Sequence, residues 1–109
     1  MPRRLGPLAL LISALAAAGP AAAGDALWLL QTRMQSCIDA GSSAACGPLA
    51  AQVKALPRDP AYGRASHLCK EEIAELGAVV ALLPKRDAVA TDLIASVDDV
   101  QQACLPYGF

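Results

Sequence analysis

The sequence predicts an all-α fold, a small up-and-down bundle of about four helices stapled by two disulfides. Three observations carry this. Apolar residues recur at helical spacing in four segments. No run alternates in polarity as a half-buried strand would, and aromatic residues make up only 4% of the 109-residue chain. Four cysteines, an even number, fall in the part of the chain left after an N-terminal export signal.

That signal is read first, because it must be set aside before any fold reasoning. Arg3 and Arg4 form a charged start, and Leu5 to Ala18 is apolar apart from Gly6, Pro7 and Ser13. Pro20 then ends the apolar stretch, and Ala21 and Ala23 supply the small side chains that signal peptidase requires. Residues 1–23 are therefore expected to be a cleavable signal peptide, and residues 24–109 a single helical domain. The apolar run is about 14 residues, short of the ~20 that a membrane span needs. The first cysteine is Cys37, far from the cut, which speaks against a lipid-anchored form. The Leu-Gly-Pro after Arg3-Arg4 is a poor continuation for twin-arginine export.

The first helical segment runs from about Asp25 to Ala40. Asp25 is the expected cap, since its oxygen can take the first free amides and its charge suits the positive helix end. Leu27, Leu30, Met34, Cys37 and Ile38 make one face, widened by Trp28 and Leu29. Gly41 is the expected stop. The second segment, about Pro48 to Leu56, is short. Pro48 suits the first helical position, where its missing N–H costs nothing, and Leu49, Val53 and Leu56 form its stripe. Pro57 ends it, and Arg58 to Gly63 reads as a loop with two breakers.

The third segment has the clearest periodicity: Cys69, Ile73, Leu76, Val80 and Leu83 step by four and three. Ser66 is its expected cap and Pro84 its end. Gly77, inside it, weakens the helix by up to about 1 kcal/mol relative to Ala. The fourth runs from about Asp87, its expected cap, to Leu105. Val89, Leu93, Val97, Val100 and Cys104 line one side with Ile94 beside them. Pro106 to Phe109 is a non-helical tail whose two aromatics can fold back. Short connections make consecutive helices antiparallel.

This topology selects the cysteine pairing. Cys37 ends helix one and Cys46 precedes helix two, at one end of the bundle. Cys69 starts helix three and Cys104 ends helix four, at the other. A bridge needs Cα atoms within about 7 Å, and helix two alone spans about 13 Å. The expected pairs are Cys37–Cys46 and Cys69–Cys104, contributing at most about 2.7 and 3.8 kcal/mol in a chain-entropy account.

Metal is the competing use of these thiols. The four cysteines with His67 could hold zinc or copper, yet no Cys-x-x-Cys or Cys-x-x-Cys-His occurs. No motif asks for a cofactor. Glu71, Glu72, Glu75, Asp98 and Asp99 lack the alternating ligands of a calcium loop. His67 has no nucleophile at motif spacing. Arg58, Arg64, His67 and Lys70, with Tyr62 among them, could contact an anion or a partner. Trp28 reads as a core residue with one wet edge.

Setting aside Arg3 and Arg4 leaves seven basic against ten acidic side chains, a net charge of about −3. Nucleic acid and anionic membrane surfaces call for the opposite balance. The functional expectation is a non-enzymatic exported interaction or accessory protein with a protein partner, without nucleic acid and without a membrane span once the signal is removed. The alternative is a metal or small-ligand carrier using thiols or the His67 region. Alanine and arginine usage points to a bacterial source, and so to a periplasmic or secreted protein.

Overall fold

The computed structural model describes residues 25–40 and 42–109; the expected signal segment and Gly41 lie outside them. Among the described residues there are five α-helices and no strand: α1 (Ala26–Asp39), α2 (Gly47–Ala55), α3 (Pro60–Arg64), α4 (His67–Val80) and α5 (Arg86–Cys104). Short 3-10 turns fill the connections at Ser43–Cys46, Leu56–Arg58, Leu83–Lys85 and Leu105–Tyr107. No described helix is long and apolar enough to cross a membrane.

The four larger helices form a ring, in which α1 packs on α2 and α5, and α4 packs on α2 and α5. The stripes meet at its centre. Leu27, Leu30, Met34 and Cys37 come from α1, and Leu49 and Val53 from α2. Cys69, Ile73 and Leu76 come from α4, and Val89, Leu93, Val97, Val100 and Cys104 from α5. Ile94 lies outside this core and is exposed. Two glutamine amides tie the start of α1 to its neighbours. Gln52 Nε2 of α2 donates to the Ala26 carbonyl at 2.7 Å, and Gln101 Nε2 of α5 donates to the Leu27 carbonyl at 3.2 Å.

Both bridges form as the topology requires, with Cα separations of 4.4 Å for Cys37–Cys46 and 4.9 Å for Cys69–Cys104. They close opposite ends. At the first, the Ser43–Cys46 turn packs on the Leu83–Lys85 turn; at the second, α3 packs on the C-terminal turn.

Several local expectations are corrected. Asp25 occupies the cap position of α1 but has helical dihedrals, φ −86° and ψ −16°, and its side chain makes no cap bond. A cap needs extended backbone to bring its oxygen back over the free amides; here only the Asp25 carbonyl engages, accepting from Leu29 N at 3.0 Å. Asp87 is not the cap of α5. That helix starts at Arg86 with Lys85 in the cap position, which leaves Asp87 in the first turn, where its charge still suits the helix end.

The stretch from Arg58 to Gly63 is not a loop. Asp59 Oδ1 accepts from Ala61 N at 2.8 Å, and Pro60, with its preset φ, opens α3. Of the two residues read as breakers, Pro60 starts a new helix and Gly63 lies within it. The tail, too, is partly helical, with a 3-10 turn at Leu105–Tyr107 before Gly108 reverses the chain at φ +83°.

Ser66 does cap α4: its backbone is extended and its Oγ accepts from Cys69 N at 3.1 Å. Ser66→Ala is expected to destabilise the domain by about 1 kcal/mol. A urea midpoint unchanged from the parent would show that the cap bond is replaced by water at no loss.

Candidate functional site

An open groove of about 710 Å³ lies between α2 and α4. Ala50, Ala51 and Lys54 come from α2, and Ala74, Gly77 and Ala81 from α4 and the residue after it; Pro57 and Tyr62 close one end. Val53 and Ile73 form part of its floor and belong to the core. The walls are low because the residues that flank the two core stripes on this side are alanine and glycine. Among the described lining residues the single charge is that of Lys54, which is exposed.

Gly77 is the informative residue here. It lies in the interior of α4, where glycine costs about 1 kcal/mol relative to alanine. Its φ is not in the left-handed region, and apart from its chain neighbours and its own helix backbone no described atom comes within 4 Å of where a Cβ would stand. Nothing in the described fold asks for glycine at this position. The space belongs to the groove.

The four basic residues singled out by sequence engage different partners. Arg64 turns to the tail, its guanidinium donating to the carbonyls of Pro60 at 3.5 Å and Tyr107 at 3.4 Å. His67 Nε2 lies 2.8 Å from Glu71 Oε1 on the exposed face of α4. Arg58 is exposed in the turn that follows α2. Lys70 is half-buried, with its ammonium 5.3 Å from the centroid of the Tyr62 ring. Tyr62 thus joins Lys70 to the closed end of the groove. The groove itself was not visible in the sequence, where its alanines read as ordinary helix formers; the unexplained Gly77 is the one signal that could have marked it.

All four cysteines are in bridges, and no free cysteine is found among the described residues. In this bridged form the sulfurs have no thiolate to offer a metal. Trp28 is 64% exposed and is not a core residue. Leu27 and Leu30 already fill the inner face of α1, and a residue one step along from Leu27 is rotated away from it.

A shallower recess between α4 and α5 is lined by Leu68, Glu72, Asp99, Gln102 and Ala103. Glu72 Oε2 is shielded from water and has no hydrogen-bond partner. That burial first, and then repulsion from Glu75, Asp99 and Glu71, pushes the Glu72 carboxyl above the usual carboxylate range. The folded state therefore holds this proton more firmly than the unfolded chain. The stability it confers is complete below the unfolded value of about 4.3, and is lost as pH rises through the higher folded value. Glu72→Gln is expected to be more stable than the parent at neutral pH and equal to it under acid conditions where both states hold the proton. Urea midpoints measured across this range check the sign; a variant less stable at neutral pH would mean that the charged form is the favoured one.

The geometry defines a class, a disulfide-closed helical bundle with an open, mostly apolar groove on one side. No protein-family model, curated protein or solved structure matches the chain.

Proposed function

We propose that this chain is a non-enzymatic, exported binding module whose contact surface is the groove between α2 and α4. The groove carries the reading: at about 710 Å³ it falls within the ~300–1,000 Å³ usual for ligand sites, and Gly77 keeps it open at a cost to the helix that bears it. Export is supported by the two intramolecular bridges, which persist in oxidising compartments, and by the charged start, apolar run and Ala-x-Ala of residues 1–23. The periplasm is the compartment that best joins these features.

The test is made in cells on the full chain with its leader. A photo-crosslinking residue replaces Ala74 in the groove or, as a control, Asp98 on the exposed face of α5. The expected product is an extracytoplasmic protein starting at Gly24, with both bridges intact and an adduct from position 74 but not 98. Retention in the cytoplasm with four reduced thiols would sink the export reading. Equal adducts from both positions, or none from 74, would sink the groove as the contact surface.

A further inference from the structure

We infer that the occupant of the groove is a single-chain anionic amphiphile, with its alkyl chain along the alanine-lined end and its head group at the lysine end. This rests on the groove being the contact surface and names what it holds.

Two observations give the groove a polarity. At one end Ala50, Ala51, Gly77, Val80 and Ala81 offer only apolar or backbone surface. At the other, Lys54 stands in the wall beside Pro57, and Tyr62 is overlain by the Lys70 ammonium. Arg58 follows directly after Pro57 in the chain and is exposed. The nearest carboxylate in sequence, Asp59, is turned to cap α3. None of the three acids of α4, Glu71, Glu72 and Glu75, lines the groove; Glu72 lines the recess against α5, and Glu71 pairs with His67. An anion at the lysine end thus meets cations, in a protein whose overall charge would otherwise repel it.

The length of the groove suits an alkyl chain. From Ile73 to Ala81 the groove follows α4 for eight residues, about 12 Å at 1.5 Å per residue. That is the reach of a medium-length alkyl chain. The open space above Gly77 lets a methylene chain lie against the helix backbone.

The probe is dodecanoate, below its micelle concentration, added to the oxidised mature chain and followed by amide NMR and calorimetry. Shifts are expected at Ala50, Lys54, Ala74, Gly77 and Ala81. Dodecyltrimethylammonium, with the same chain and the opposite charge, should bind at least about tenfold more weakly, and Lys54→Glu should weaken dodecanoate by about tenfold, the equivalent of about 1.4 kcal/mol. Gly77→Leu should abolish binding. It adds a side chain where the molecule leaves open space and replaces glycine with a better helix former, so the variant stays folded. Equal affinity for the two head groups, an unaltered affinity in Lys54→Glu or Gly77→Leu, or shifts confined to other faces would overturn the proposal. So would a protein adduct from position 74 in a chain that ignores dodecanoate; that outcome leaves the groove as the contact surface and replaces the amphiphile with a peptide.

Discussion

Replacing Cys69 and Cys104 together with Ala is expected to lower stability by about 4 kcal/mol, and the same change at Cys37 and Cys46 by about 3 kcal/mol. The bridges differ in the loop they close: 35 residues separate Cys69 from Cys104, and 9 separate Cys37 from Cys46. The longer loop removes more freedom from the unfolded chain. The larger bridge also ties together α4 and α5, which share the most extensive packing among the described elements. Cys69 and Cys104 are both fully buried, so their loss adds a packing defect in the core. For a domain of this size each kcal/mol moves Tm by about 4–8 °C, and the larger loss is a major part of the ~5–15 kcal/mol that holds a domain folded. Thermal and urea unfolding of the two double variants give the ranking. If the Cys37/Cys46 variant proves the weaker, loop length does not govern, and the packed turns at that end matter more than the α4–α5 hairpin.

Phe109→Ala is expected to destabilise the domain by about 3 kcal/mol, the low end for a buried aromatic. Only 1% of the Phe109 surface is exposed, and it is the largest fully buried side chain among the described residues. Three features bring it there. The Leu105–Tyr107 turn carries the chain past the end of α5, Gly108 at φ +83° reverses it, and Arg64 holds the Tyr107 carbonyl. The left-handed conformation at Gly108 is one that only glycine adopts readily. Phe109→Leu keeps most of the buried volume and should lose less than about 1.5 kcal/mol. A urea midpoint for Phe109→Ala equal to that of the parent would place the ring outside the core.

Both effects concern the end of the molecule where α3, the second bridge and the tail meet. Part of that end was legible from the chain. The cysteines sit at the end positions of apolar stripes, and a stripe with helical spacing fixes which face of the helix is inward. Once the helices alternate in direction, the pairing is a matter of distance. Ser66 was legible as a cap because its position before an apolar-periodic run has a local physical meaning. Asp25 and Asp87 carry the same local pattern, and it failed at both. Whether a side chain caps depends on the dihedral angles of its own backbone, and these are set by how the helix end docks.

The exposure of Trp28 reverses what its residue type alone suggests, whereas Phe109 is buried as a tail aromatic that folds back. In each case the deciding quantity is how much apolar surface its neighbours have already covered. Leu27 and Leu30 fill the inner face of α1, while the reversal at Gly108 turns Phe109 into space that the other stripes leave to it.

What the sequence by itself determined is the helical class, the four main stripes and the two bridges. Each rests on short-range periodicity and on the fact that chain direction alternates between closely spaced helices. What only the tertiary structure decided is the groove. Ala50, Ala51, Lys54, Ala74, Gly77 and Ala81 come from two helices separated by a turn and a third helix. Alone on a helix, an alanine beside a core stripe is merely a good helix former. It becomes the wall of a site only when a second helix, packed at one angle and one distance, sets another small residue opposite it and leaves the space between them unfilled.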